Sequence, residues 1–563
     1  MSDMSMTGFE QARPASPDDL PDPRQLVAPG FAGDPIGIIL EIAGSSSAVA
    51  LDLERLQECA DDIDPSVALA GQVGSQIKIR VGRGWLLASV RTQRQDSNSP
   101  GGILANIDFL GEGEAEKLTG RIHGFRRGVT RYPIPGALVY PATSNDLRQI
   151  YASDGRSSIQ IGTVFPTRDI RAGLYIDAML GKHFALLGST GTGKSTSAAL
   201  ILHRICESAP QGHIVMIDPH GEYAAAFRTT GVIFDTSNLQ MPYWLLNFEE
   251  HCEVLLTSRG EQRQQDADIL AKCLLAARMK NRLAESLGKI TVDSPIPYLL
   301  SDLSNILQNE AGKLDKGTNS IPYMRIKTKL DELKADPRYQ FMFSGMLVSD
   351  TMADFICKIF RLPAAGKPIS IVDVSGVPSE ITSTVVAVLG RLIFDFAIWA
   401  REEQTRPVLL VCEEAHRYVP SETNSEGSSV GKILSRIAKE GRKYGVSLGL
   451  ITQRPSDLAE GVLSQCGTII SMRLNNDRDQ AFVKAAMPEG ARGFLDAIPA
   501  LRNRECIICG EGVSVPIRVS FDDLEEMKRP ASADPSITEL WRQSGGEEEM
   551  VERTVMRWRA QGK

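Results

Sequence analysis

Residues 184–196 read FALLGSTGTGKST. An apolar run leads into a glycine-rich segment ending in Lys-Ser-Thr, and TSAALILHRI follows with helical spacing. This strand, loop and helix constrain the chain more than any other feature. Successive backbone N–H groups can wrap around phosphate oxygens only where side chains do not block the approach, which explains Gly188, Gly191 and Gly193. A helix that starts at the loop adds partial positive charge. Lys194 is then expected to reach the β- and γ-phosphates, and the Ser195 hydroxyl to ligate Mg²⁺. Gly188, Ser189, Thr190, Gly191, Thr192, Gly193, Lys194, Ser195 and Thr196 are the expected nucleotide contacts. A glycine-rich turn with a chance lysine shares the spacing, but rarely the strand before it and the helix after it.

A strand feeding a phosphate loop needs parallel neighbours. HIVMID, ISIVDV, PVLLVCE, VSLGLITQ and GTIISMRL are continuous apolar runs, suited to a sheet covered on both faces. Helical stretches separate most of them, the βαβ pattern of an α/β domain. Between about 245 and 365 no central strand is evident, and Ile269, Leu270, Cys273, Leu274 and Ala277 follow helical spacing. Ahead of this domain, six short runs broken by Gly, Ser, Asn and Pro suggest a small β-barrel. The expected organisation is a disordered segment 1–33, a β-barrel 34–150, an ATPase core 151–245 and 366–525 split by a helical insertion 246–365, and a helical tail 526–563.

A second strand tip must supply acid. PVLLVCEEAH, residues 407–416, ends an apolar run on Glu413 and Glu414. Burying two unpaired carboxylates is costly. A phosphate-loop enzyme gives them work: one at the Mg²⁺ shell, one to polarise the attacking water. Glu413 is expected on the metal side and Glu414 on the water; a surface turn with two solvated carboxylates is the alternative. A catalytic glutamate beside the metal carboxylate marks the branch in which another strand separates the two tips, and the lack of an NKxD segment favours ATP over GTP.

In open α/β sheets ligands lie beyond the carboxyl ends of the strands. GLITQRP ends on Gln453, which could hydrogen-bond the γ-phosphate or the lytic water, or be a turn residue before Pro455. IVMIDPHGEY ends on Asp218, with His220 and Glu222 following; an Asx-type turn is as good an account as a phosphate contact. Lys432, Arg436, Lys439 and Lys443 form one helical stripe. It is either a solvated face or a surface for a neighbouring subunit or DNA. Arg442, at the end of that helix, is the candidate for an arginine finger acting in trans.

Composition excludes some partners. A net charge of −8 rules out a uniformly basic surface but not a local basic channel. The start of the chain lacks an apolar signal region, and ITSTVVAVLGRLIFDFAIWA, 381–400, carries Arg391 and Asp395. It reads as a core helix, and a cytoplasmic protein with reduced thiols is expected. Cys506 and Cys509 form a CxxC inside a strand-like run, so they point to opposite faces and read as core residues.

Taken in order, the barrel-like start, GSTGTGKS, IDPHGEY, the helical insertion, EEAHRYVP, EGRKYGVSLGLITQRP and IISMRLNND resemble the HerA branch of the HerA/FtsK superfamily of hexameric DNA-pumping ATPases, over roughly residues 34–520. The resemblance implies an α/β RecA-like P-loop NTPase core, an N-terminal small β-barrel (HAS barrel) and a homo-hexameric ring around double-stranded DNA. It implies ATP and Mg²⁺ on Lys194 and Ser195, Glu414 as catalytic base, Gln453 as sensor and Arg442 as a finger from the adjacent protomer. The family usually has Asp-Glu where this chain has Glu413-Glu414. Relatives work with a separate effector, a NurA-type nuclease or, in bacterial anti-phage systems, a Sir2-like NADase or nuclease, docked on the barrel end. A ring that mainly organises and gates such an effector, and a pump for protein substrates, are the alternatives to a DNA motor.

Overall fold

The computed structural model describes residues 33–43, 46–96, 102–116, 121–151, 155–313, 320–421, 428–487, 492–531, 537–542 and 547–560. The expected disordered segment therefore lies almost wholly outside the described residues. The chain divides into two units, Met1–Ala152 and Ser153–Lys563.

In the first unit, six antiparallel strands close into a barrel in the order Ser46–Asp52, Gly37–Ala43, Leu138–Pro141, Gln76–Val81, Gly84–Gln95 and Gly102–Ala115, the last pairing back with the first. Closure removes the exposed edges that an open sheet of this size would present. Alternation sets the interior: Ile77 and Ile79, Leu86, Ala88 and Val90, and Ala105 and Ile107 point inward and are buried. Lys78, between the two isoleucines, faces the other way. It is buried too, because its Nζ lies 2.7 Å from Asp146 Oδ2 on the helix Ser144–Ile150. The sequence reading missed the strand Ile122–Arg127, which extends the sheet from Gly102–Ala115. Its run IHGFRR is short and half polar, so no alternation marks it.

The second unit is built on an 11-stranded sheet. Seven strands run parallel in the order Gly231–Phe234, Ile369–Asp373, Ile214–Asp218, Val408–Cys412, Val446–Thr452, Phe184–Leu187 and Thr468–Met472. Their runs of Val, Ile and Leu are buried on both faces, as helices on both sides of a parallel sheet require. Four antiparallel strands continue it: Glu505–Gly510, Ile517–Phe521, Ser158–Val164 and Arg171–Tyr175. Of that wing the sequence marked only ECIICG, whose Cys506 and Cys509 are buried free thiols.

The strand Val446–Thr452 lies between the phosphate-loop strand and the strand carrying the two glutamates, the order anticipated for a catalytic glutamate. Ser379–Trp399 is long and apolar enough to cross a membrane by length and composition, but most of it is buried against the unit's core. Between 246 and 365 the described residues hold helices and no strand, among them Phe248–Leu255, Glu261–Met279, Leu300–Lys313 and Ile321–Ala335. Arg278 staples this region: wholly buried, it donates to the carbonyls of Val292 at 2.6 Å, Leu246 at 2.9 Å and Trp244 at 3.3 Å.

Candidate nucleotide site

The phosphate loop connects Phe184–Leu187 to the helix Lys194–Ser208. Gly191 and Gly193 take φ of +77° and +92°, a region that glycine enters without the Cβ penalty. A Cβ on Gly193 would meet the Arg504 side chain at 3.0 Å, whereas one on Gly191 would meet nothing within 4 Å, so the loop is open on that side. The helix has no side-chain cap at its N-terminus. Its first N–H groups are therefore left for an external acceptor, the arrangement that suits an anion.

Lys194 and the glutamate pair meet. Lys194 Nζ lies 2.7 Å from Glu413 Oε1 and 3.8 Å from Glu414 Oε1. All three are buried, at 8%, 3% and 5% exposure. Burial alone would lower the Lys194 pKa, but Glu413, with help from Glu414, holds it above the ordinary lysine value. Burial raises the Glu414 carboxyl; Lys194 pulls the other way and Glu413 adds to the rise. Glu414 has φ of +50°, which turns the chain sharply after the strand and presents its carboxylate beside that of Glu413. Its Oε2 is buried without a hydrogen bond. The His416 Nδ1 lies 3.2 Å from that oxygen and 2.9 Å from Thr452 Oγ1. Burial lowers the His416 pKa, so the ring is neutral at pH 7 and does not neutralise the glutamate.

Gln453, at the tip of the intervening strand, accepts a 2.6 Å hydrogen bond from Thr190 Oγ1. It thus touches the phosphate loop directly. A polar cavity of about 600 Å³ opens beside them, lined in part by Ser189, Arg454, Asn476 and Arg478. Arg442 is not among these residues. It is exposed on the 3₁₀ turn Gly441–Tyr444, just before the strand Val446–Thr452. Gln453 follows the far end of that strand, so about 20 Å separates the two (seven residues at ~3.3 Å each). Arg442 cannot reach the site of its own chain. The α-helix ends at Glu440, so Lys443 lies on the turn as well, beyond the helical part of the stripe.

Asp218 resolves as a turn residue. Its Oδ1 accepts from the His220 and Gly221 amides at 3.2 and 2.9 Å, and its Oδ2 from the Tyr223 amide at 2.8 Å. The turn aims Tyr223, which the sequence reading did not single out. Tyr223 is wholly buried and its hydroxyl donates to Glu413 Oε2 at 2.9 Å. No direct signal marked it in the sequence: Tyr223 follows five residues after a tip whose strand pairs with that of Glu413, a pairing that only the sheet shows. Support from the loops after Thr468–Met472 and before Glu505–Gly510 was not legible. Ser189 N donates to Arg473 O at 2.9 Å, Asn475 N to Ser189 Oγ at 3.1 Å, and Arg504 N to Thr192 O at 2.9 Å.

Residues 159–393 match the family "Helicase HerA, central domain". Over that stretch, less than half of the chain, the sequence is similar to HerA helicases. It is 28% identical over 491 residues to the DNA double-strand break repair helicase HerA of Pyrococcus furiosus, covering 79% of this chain and 84% of that protein. The corresponding protein of Sulfolobus acidocaldarius is 28% identical over 421 residues, covering 71% of this chain and 78% of that one. Among solved structures, VirB4 of Thermoanaerobacter pseudethanolicus aligns with a TM-score of 0.48 at 16% identity, over 67% of this chain and 100% of that one. The conjugative coupling protein TrwB aligns with a TM-score of 0.44 at 14% identity, over 69% and 94%. With the HerA central domain goes the enzyme class: the protein is a P-loop ATPase.

Proposed function

We propose that this HerA-type protein is an ATP-driven motor on double-stranded DNA, working as a hexameric ring with hydrolysis at subunit interfaces. The observation that carries the ATPase half is the convergence of Lys194, Glu413 and Glu414 beside an uncapped helix N-terminus. In the absence of nucleotide, Lys194 is held by Glu413; it turns to the triphosphate when ATP enters and neutralises charge there. Residues 188–196 wrap the phosphates with main-chain amides. Glu414, with one buried oxygen left over, holds and polarises the attacking water. Gln453, already bonded to Thr190, senses the terminal phosphate.

Ser195 and Glu413 fit Mg²⁺ as an oxygen pair at the loop. No group of three His, Cys, Asp or Glu among the described residues would hold a metal alone, so Ser195 and Glu413 would hold Mg²⁺ together with oxygens of the bound nucleotide. Mg²⁺, when bound, neutralises phosphate charge.

The subunit-interface assignment is supported by Arg442, exposed and beyond reach of its own site. DNA as the track is supported by relatives named as DNA repair helicases. A separate effector, a NurA-type nuclease or Sir2-like NADase docking on the barrel, belongs to the same proposal; the barrel, a unit of its own, is the surface offered to it. The test is ATP turnover of the purified full chain with and without duplex DNA. Stimulation by duplex, lost in Glu414→Gln, is the expected result. DNA-independent turnover, or effector activity that survives Glu414→Gln in an intact assembly, would favour a scaffold over a motor.

A further inference from the structure

Glu413 is one methylene longer than the aspartate more usual at the metal side of such sites, so its carboxylate has one more rotatable bond to fix. Two groups fix it here. Lys194 Nζ takes Oε1 at 2.7 Å, and the Tyr223 hydroxyl donates to Oε2 at 2.9 Å. Tyr223 thus holds the carboxylate expected on the metal side from the face opposite Lys194. Its own position is set from behind by its amide on Asp218 Oδ2 at 2.8 Å, and its ring is wholly buried.

We propose that Tyr223 is the positioning residue of the metal side of this site: it locks the long Glu413 carboxylate in one arrangement, so that Mg²⁺ binding does not have to order it. Lys194 cannot do this alone, because it must leave Glu413 to reach phosphate. When it leaves, Tyr223 is the one remaining hydrogen-bond donor to the Glu413 carboxylate among the contacts described. A tyrosine placed only to fill the core would need a partner for its hydroxyl, but that partner need not be the metal-side carboxylate.

The inference rests on the pocket being the nucleotide site, and the experiment separates the two. Binding of a fluorescent ADP analogue to the full chain is titrated with Mg²⁺ and with EDTA, alongside thermal melting without nucleotide. Tyr223→Phe removes only the hydroxyl. Expected is a loss of about 10-fold in the Mg²⁺-dependent part of the affinity, the size of one hydrogen bond to a charged group, with binding in EDTA unchanged. Glu413→Asp shortens the carboxylate away from Tyr223, so adding Tyr223→Phe to it should cost less than 3-fold. Equal losses with and without Mg²⁺, a fall in melting temperature alone, or full additivity with Glu413→Asp would each overturn the positioning role. Nucleotide binding that survives Lys194→Ala would instead overturn the pocket beneath it.

Discussion

Lys194→Ala tests the site before nucleotide is added. The ammonium removed lies 2.7 Å from one buried carboxylate and 3.8 Å from another. What it leaves is Glu413 with a single donor, Tyr223, and Glu414 with an oxygen that already lacks a hydrogen bond. Removing one partner of a buried pair costs about 3–5 kcal/mol. Here proton uptake can relieve part of the strain, because burial, opposed by Lys194 and aided by Glu413, already sets the Glu414 carboxyl above its usual value. About 3 kcal/mol at pH 7.5 is therefore expected, roughly 150-fold in the unfolding equilibrium. The sign of the pH dependence follows. A carboxyl whose folded pKa is raised binds its proton more tightly in the folded state, so the deficit of Lys194→Ala shrinks as pH falls from 7.5 toward 5.5. Urea unfolding of the second unit without nucleotide, at both pH values, measures this. Adding Glu413→Gln should recover at least half of the loss, since one charge and the repulsion between the pair both disappear. A deficit below about 1 kcal/mol, equal at both pH values or deepened by Glu413→Gln, would refute the claim that Lys194 neutralises the two glutamates in the resting site.

Three further outcomes are expected. Arg442→Ala should abolish turnover with each protomer folded, and mixing it with Glu414→Gln protein should restore some activity in mixed rings; no rescue in rings shown to be mixed refutes the trans assignment. The acid limb of kcat/KM should lie above the ordinary carboxyl value of 4.5, because burial raises Glu414 and it must be ionised to act; a pH profile with its limb below 4.5 refutes that role. In the barrel, Lys78→Met should cost about 3–5 kcal/mol, because Asp146 keeps only neutral donors, the Ile122 and Thr143 amides and the Thr143 hydroxyl. Hydrogen exchange of Gln76–Val81 would report the opening.

The parallel block was legible because its strands are continuous apolar runs, and burial on both faces permits little else. The site was legible where chemistry sits at strand tips: the loop 188–196, Glu413, Glu414 and Gln453 come together as their positions required. What failed to show has physical reasons. Gly231–Phe234 has four residues at the sheet edge and is only partly buried, so its pattern is weak. Ser158–Val164 and Arg171–Tyr175 form a local hairpin, but its place in the sheet is set by pairing with Ile517–Phe521 hundreds of residues away, as at Val164 with Val519, and local alternation does not report such a partner. Tyr223 was hidden because its role depends on which strand lies beside which, and only the sheet order reveals that the Asp218 and Glu413 tips are neighbours.

The helical insertion acquires a role from the same sheet order. Its first helix, Phe248–Leu255, carries three glutamates with three different partners. Glu250 accepts from Arg391 Nε and Nη2, both at 2.8 Å, on the core helix Ser379–Trp399. Glu253 accepts from the amide and hydroxyl of Ser429, both at 2.7 Å, at the start of the helix Ser429–Glu440 that leads to Arg442. Glu249 pairs with Lys432 one turn later. Arg436 lies 4.8 Å above the Phe394 ring, on the core helix again. The basic stripe is therefore not uniformly free: two of its members are engaged within the unit, while Lys439 and Lys443 are exposed beside Arg442. A finger has to present its charge to a neighbour from a rigid base. Capping and ion pairs from one short helix hold the start of the helix Ser429–Glu440, and the turn that ends it passes directly into the strand tipped by Gln453. Gln453 and Arg442 therefore lie at opposite ends of one buried seven-residue strand and its leading turn.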